Sequence, residues 1–251
     1  MTYAFIEGYT GHMSGHQSVV DRLVIHGTVS RLVPGGARST AEYFRSSASG
    51  GLAHWVGDAG EVIQCCREDI VAWHAPPNYK SVGFEFVDPQ GGPDRRWGDK
   101  DHSAELSLLA KCMAESAQRW KVPIAYLTVP SLLAGNRGIT THFNVSQAWH
   151  QSDHVDPGPG FPIAMFMGLV SLHAAQLSRP AGVPGWWPHN LGLGSTGGPV
   201  KRAQEIMGFP PASCDGIFGY NTALGVRHYQ HGRQLKETGI IDIVTATVMG
   251  S

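Results

Sequence analysis

Cysteine is scarce in this chain: four among 251 residues, at Cys65, Cys66, Cys112 and Cys214. Two are adjacent and no Cys-x-x-Cys occurs, so the spacing does not support a four-cysteine zinc site. A disulfide framework is unsupported at this length, and reduced, half-buried thiols are expected. Charge of one sign is also lacking. Lys and Arg number 19 and Asp and Glu 20, a formal net charge of -1. That balance makes no case for nucleic acid or for an anionic membrane surface. Long apolar runs are missing too. The most apolar segment, Phe161 to Val170, is too short for the ~20 residues of a membrane helix, and no membrane insertion is expected. The start, Met1 to Gly8, shows no basic region followed by an apolar core, so no signal peptide is read there. Synthesis in the cytoplasm follows, with any action outside depending on something else to let the chain out.

What is present supports a folded protein. Hydrophobic residues make up 42% and charged residues 16%, enough for a real core. The length allows one large domain or a domain plus a small appendage. Met1 to Gln17 is polar and Gly-rich, a loop or loose strand. Leu23 to Ile25 reads as a buried strand. Pro34 to Gly36 signals a turn, and Thr40 to Ser46 a short helix capped by Ser39 or Thr40. Gly51 to Cys66 reads as a hairpin turning at Gly57 to Gly60, and Asp69 to Trp73 as a further strand. Ser81 to Val87 alternates, with Val82, Phe84 and Phe86 on one face and Ser81, Gly83 and Glu85 on the other. Asp88 to Lys100 is a surface loop. His102 to Lys121 is the clearest helix, with Asp101 as N-cap and Leu106, Leu109, Ala110, Met113, Ala117 and Trp120 on one face. Ile124 to Val129 is extended, and Phe161 to Leu177 is a second helix, with Pro162 in its first turn. Arg179 to Gly198 is a Pro/Gly-rich linker. Beyond it, Val200 to Met207 and Thr222 to Gln230 are short helices. No longer-period repeat is evident.

The chain carries 13 histidines, and histidine is the commonest metal ligand. His26 ends the first buried strand, His142 precedes a Pro/Gly-rich turn, and Asp156 lies within that turn. Two imidazoles and a carboxylate on distant elements make an open metal site, since a hydrolytic zinc site needs about three such ligands and a free position. Glu85 is a carboxylate on a strand. Buried carboxylates are rare unless paired, so beside a metal it is a candidate general base. Competing chemistries are weaker. The serine in Gly11 to Gly15 is one place off a nucleophile elbow, no phosphate-binding glycine loop follows a strand, and Glu42, Glu61 and Glu68 read as solvated charges.

Six segments in order carry a family resemblance: Val24 to His26, Ala53 to Gln64, Ala72 to Ala75, Ser81 to Glu85, Thr141 with His142, and Asp156 to Phe161. From about Leu23 to Phe161 the chain resembles the zinc-dependent N-acetylmuramoyl-L-alanine amidases of the type-2 class, shared by phage lysozyme-amidases, cell-wall recycling amidases and peptidoglycan recognition proteins. The resemblance implies an α/β fold, a central mixed β-sheet flanked by helices with a zinc-site groove. It implies that His26, His142 and Asp156 bind one Zn2+ and that Glu85 is the catalytic glutamate. Some relatives use a tyrosine where this chain has Ala53. The position that often holds an oxyanion-stabilising lysine is here His154, which can donate a hydrogen bond and, when protonated, charge. His74 and His54 match family histidines near the groove and are implied substrate contacts, with packed structural roles as the alternative. The interval from His142 to Asp156 looks long, with a small insertion near Ser146 to Gln151.

The C-terminal region has a resemblance of its own. Val200 to Gln204, Asp215 to Gly219, Thr222, Val226 to Gln230 and Gly239 to Thr245 look like the small three-helix peptidoglycan-binding domain. Its motif residues are Asp215, Gly216, Phe218, Gly219 and Thr222, more in structural roles than as ligand contacts. The organisation implied is an amidase domain over 1–178, a linker over 179–198 and an all-α wall-binding domain over 199–251. Such a combination looks like a phage endolysin: a monomer that cuts the amide between N-acetylmuramic acid and L-alanine of bacterial peptidoglycan after holin-mediated release. The competing reading is a non-catalytic, zinc-containing peptidoglycan-binding protein, expected to have lost a ligand or the base.

Overall fold

Two neighbouring strands, each apolar on one face and ionisable on the other, determine where the site lies. The computed structural model describes residues 3–89, 94–158, 160–178 and 182–250. In chain order the first unit contains β1 (Ala4–Phe5), β2 (Met13–His16), β3 (Arg22–Gly27), α1 (Gly36–Phe44), β4 (Trp55–Gly57), β5 (Val62–Gln64), β6 (Ile70–Ala72) and β7 (Ser81–Phe86). These are followed by α2 (Lys100–Trp120), α3 (Val129–Leu133), β8 (Gly138–Thr141), α4 (His142–Trp149) and α5 (Ile163–Leu177). Six strands form a mixed sheet in the order β1-β5-β4-β7-β3-β8, in which only the β4–β5 pair is antiparallel. Strands β2 and β6 form a separate antiparallel ribbon.

Strands β3 and β7 run in parallel register, Leu23 opposite Val82, Ile25 opposite Phe84 and His26 opposite Glu85. Because side chains alternate along a strand, these pairings sort the residues by face. Leu23, Ile25, Val82, Phe84 and Phe86 join Leu106, Leu109 and Met113 of α2 and Phe166 and Val170 of α5 in the main core. Burial of each such side chain contributes about 1.5–3 kcal/mol, which pins the register. Val24, Gly83, His26 and Glu85 fall on the opposite face. There Val24 packs with Leu127, Leu132 and Val145 from the α3–α4 region.

Several boundaries differ from the sequence expectation for local reasons. Helix α2 is capped by Asp99, not Asp101; the Asp99 carboxylate accepts from the backbone N–H groups of Asp101 and His102. Helix α1 begins at Gly36, before Thr40, because the Ala37 N–H is satisfied by the buried Asp58 carboxylate (3.0 Å). Ser146 to Trp149, read as an insertion, are the end of α4, which Thr141 caps by accepting from the Asn144 N–H. Glu68 is not a solvated charge: it is buried, paired with Arg119 at 3.0 Å, and accepts from the indole N–H groups of Trp55 and Trp120. All four cysteines are free and buried rather than half-buried, and burial pushes the Cys65 and Cys66 thiols up to about 12. Among the described residues, no helix is long and apolar enough to cross a membrane.

The second unit, Ser178–Ser251, holds α6 (Gly198–Ile206), α7 (Tyr220–Gly232) and α8 (Ile243–Met249). The stretch read as a linker is built into it over its described part, 182–198; residues 179–181 lie outside the described residues. Trp187 and Leu191 join Val200, Phe218, Val226 and Ile241 in one core, and Leu191 bridges to Ile241. Apolar side chains, not spacer composition, decide its fate.

This unit also contains a repeat that the sequence reading missed. Gln204 receives the Gly216 N–H on its carbonyl oxygen and donates to Asp215, the Ile217 carbonyl and the Thr222 hydroxyl. Gln230 treats its own turn alike, receiving the Gly239 N–H and donating to Thr238, the Ile240 carbonyl and the Thr245 hydroxyl. Both glycines have positive φ, 73° and 69°, where a side chain would be strained. Asp215, Gly216 and Thr222 are thus held in a turn lattice, and Phe218 is core.

Candidate metal centre

His26 is the penultimate residue of β3 and is buried. His142 opens α4 directly after β8, so strand and capped helix start together fix its ring. Asp156 reaches the same place through the loop after α4, where its carbonyl accepts the Phe143 N–H (3.0 Å). Its carboxylate oxygens face the Nδ1 atoms of His26 (3.1 Å), His142 (3.1 Å) and the half-exposed His154 (3.3 Å). One ligand atom from each of His26, His142 and Asp156 falls within 4.8 Å of the others, and all three residues are buried.

Burial alone would raise the Asp156 carboxyl, but the rings of His142, His154 and His26 hold it well below the usual carboxylate range. Burial lowers His142 to about 4, so its ring is neutral at physiological pH. A neutral imidazole and an ionised carboxylate are the protonation states a cation requires. Two imidazole nitrogens and a carboxylate oxygen also suit zinc. The donor set therefore fits a metal ion.

Glu85 sits beside His26 on the neighbouring strand, at the same height in the sheet. Burial raises its carboxyl to about 7, against the opposing pull of His26. A carboxyl group poised near neutrality can both take and return a proton. His154 stacks on His142, with ring centroids 4.2 Å apart. Its hydrogen bond to Asp156 raises its pKa.

These side chains line one wall of a pocket of about 640 Å³ that also takes in Thr28, Arg31, Tyr43, Ala53, Trp73 and His74. The two other histidines separate here. His74 reaches the pocket, and its Nδ1 lies 3.0 Å from His26 Nε2. His54 is fully enclosed; its Nε2 faces the Ile70 carbonyl (2.9 Å) and its Nδ1 accepts the Gly83 N–H (3.0 Å). Both of its nitrogens are occupied by backbone, so His54 is a packed histidine and not a substrate contact. Pro159 of the Asp156 turn lies outside the described residues. Sequence reasoning missed Ser81, whose hydroxyl is 3.0 Å from His74 Nε2. The alternation of β7, which puts Ser81 on the Glu85 face, was the available signal. Nothing in the sequence singled out Tyr43, and Trp73 entered only as part of the Ala72 to Ala75 segment.

Comparison with known proteins agrees with this geometry. Residues 16–159 match the family model described as N-acetylmuramoyl-L-alanine amidase, and residues 199–249 match that of a peptidoglycan binding domain. The hydrolase AmiA of Staphylococcus aureus, solved with its ligand, has a TM-score of 0.56 at 16% identity, covering 72% of this chain and 89% of that one; it shares the fold. The PlyG catalytic domain gives 0.49 at 15% identity over 72% of this chain and 100% of that one. A mutant endolysin from Bacillus subtilis gives 0.48 at 14% over 67% and 99%. No curated protein matches. The amidase match spans more than half of the chain and includes both histidines, the aspartate and the glutamate of the site, and the chain belongs to the N-acetylmuramoyl-L-alanine amidase family.

Proposed function

We propose that this chain is a zinc-dependent amidase that cuts between N-acetylmuramic acid and L-alanine in peptidoglycan, with one Zn2+ held by His26, His142 and Asp156. The observation that carries this is the convergence of those three residues, with Glu85 register-paired to His26. Zinc in such a site supplies Lewis-acid chemistry, polarising a carbonyl and acidifying water. Glu85 takes the proton of the attacking water and returns it to the departing alanine nitrogen, a transfer suited to its raised pKa. The alignment of Glu85 with His26 fixes the base relative to the ligands. In its imidazolium form, which the hydrogen bond to Asp156 favours, His154 donates Nδ1–H to Asp156 and has Nε2–H left for the oxygen that gains charge as the carbonyl is attacked. His74 borders the groove that receives the muramoyl peptide.

The remaining parts of the reading concern the whole chain. Residues 1–178 form the catalytic domain. The 182–198 stretch belongs with the wall-binding domain that follows, where Asp215, Gly216, Phe218, Gly219 and Thr222 act structurally. The protein works as a monomeric phage endolysin, made in the host cytoplasm and admitted to the wall by a holin. Support for this comes from the pairing of an amidase-family match with a peptidoglycan-binding match in one chain.

The test is purified protein on isolated peptidoglycan. New N-terminal alanine should appear, vanish with chelator and return with Zn2+. New reducing sugar ends in place of free alanine would overturn the amide assignment, and wall binding without any cleavage would favour the non-catalytic reading.

A further inference from the structure

Three polar groups behind His26 form a chain with it whose donor directions can be settled one at a time. The Ser81 hydroxyl lies 2.6 Å from the Asn78 carbonyl oxygen. A carbonyl only accepts, so the single hydroxyl proton of Ser81 goes there. The same Ser81 oxygen is 3.0 Å from His74 Nε2. Its proton is committed, so Ser81 accepts and His74 Nε2 carries the hydrogen. His74 is buried and its ring nitrogens face a hydroxyl and another imidazole rather than a carboxylate, so burial keeps it neutral, and a neutral imidazole has one N–H. Its Nδ1 is therefore bare and accepts from His26 Nε2, 3.0 Å away. His26 then holds its hydrogen on Nε2 and presents the Nδ1 lone pair to the side where Asp156 and His142 converge.

We propose that His74 is a positioning residue: through the chain Asn78–Ser81–His74–His26 it fixes the tautomer and ring orientation of His26, so that Nδ1 is the atom offered to the metal. The inference rests on the metal reading above. It gives His74 a duty other than holding substrate, although its ring edges the pocket. It also explains Gly83. A Cβ built there would come within 2.7 Å of His74 Nδ1 and 2.8 Å of its Cγ, so the His74 ring lies directly on the β7 backbone and only glycine leaves room. The Gly83 N–H in turn goes to His54, which makes that histidine the floor under His74. The rings of His26 and His54 both meet the His74 ring edge-on, at centroid distances of 5.1 and 5.4 Å. His142 has no equivalent lock. Its Nε2 faces Ser152 at 3.4 Å, and the Ser152 hydroxyl shares a contact with Ser146 in which either can donate.

The test uses the full chain. Outer partners of metal-bound histidines are worth about 10- to 100-fold in metal affinity. His74→Leu removes the acceptor and should weaken Zn2+ binding, measured by chelator competition, within that range. His74→Asn keeps a carbonyl acceptor near the place of Nδ1 and should restore most of the loss. Gly83→Ala, which pushes the ring aside without removing a polar group, should also lower affinity. Zinc affinity in folded His74→Leu equal to that of the wild type overturns the proposal. A second measurement is independent of those variants: 15N–1H correlation spectra of the zinc-loaded wild type should show His74 protonated at Nε2 and His26 at Nε2. His74 protonated at Nδ1 overturns the proposal even if every variant misfolds. A wild type that binds no zinc fails the metal reading instead, a distinct result.

Discussion

Each unit of this chain buries a polar network, and the two networks end differently. In the second unit Gln204 and Gln230 close on themselves: each amide oxygen takes a glycine N–H and each amide nitrogen finds carbonyl and hydroxyl oxygens of the same turn. In the first unit the path through Ser81, His74 and His26 stops at a nitrogen facing the Asp156 carboxylate. The closed network satisfies the rule that buried polar atoms need partners; the open one leaves the His26 Nδ1 lone pair facing a carboxylate that has no proton to give it. A network that closes serves the fold alone, while one that ends on a bare ligand atom over a pocket is available for chemistry.

The sharpest way to break the contrast is to remove its open end. His142→Ala should abolish both zinc binding and turnover, checked by metal stoichiometry and alanine release; retained metal would mean that the ligand set is different. Glu85→Gln should keep zinc and lose about 10²- to 10⁴-fold in kcat. The sign of the accompanying pH effect is set by the requirement that a base be unprotonated. Burial holds Glu85 at about 7 and a cation nearby pulls it down, so wild-type activity should climb with pH along a limb at or below 7. That limb should be absent from the residual activity of Glu85→Gln. His154→Ala removes one donor to the developing oxyanion and should lower kcat by up to about 10²-fold, the low end for such donors, with metal content unchanged.

The closed network should answer to different measurements. Gln204→Leu strands the Gly216 N–H and leaves the Thr222 hydroxyl one partner short, each buried loss costing about 1–3 kcal/mol. Denaturation should show the second unit destabilised and wall binding lost, while turnover of a soluble muramoyl peptide persists; loss of that turnover would tie the two networks together. The smallest effect concerns Glu105, a buried carboxyl outside both networks. One oxygen accepts the Val87 N–H at 2.7 Å and the other has no hydrogen-bond partner among the described residues. Burial raises it to about 9. Between the ordinary carboxylate range and 9 the folded chain holds a proton that the unfolded chain has released. Stability on this account therefore falls as pH rises through that window and levels off above it. Glu105→Gln should flatten that slope in Tm measured from pH 5 to 9.

What the sequence made legible follows from which forces are periodic. The alternation of β7 and the stripe on α2 appear as read, because apolar burial repeats at fixed spacing. Helices α3 and α4 and strand β8 were not legible. α3 and β8 are only five and four residues long, and α4 is placed by the Thr141 cap rather than by an apolar period. The ligands His26, His142 and Asp156 were named through family resemblance, but their convergence needed the parallel placement of β8 beside β3. The roles of Ser81 and Gly83 were hidden because they depend on distances across strands. The Gln–Gly–Thr repeat was hidden because the interval from Gln to Gly differs between its copies, 12 residues from Gln204 to Gly216 and 9 from Gln230 to Gly239, although Gly-Ile and the Thr six residues after the Gly recur in both.

The parallel register of β3 and β7 has a practical consequence. Ligand and base project from two adjacent interior strands, whose other face is the main core. A one-residue slip would send Phe84 and Phe86 into the groove and Glu85 into the core. Heat should therefore leave no folded but misaligned enzyme: inactivation and melting of the sheet should share one midpoint.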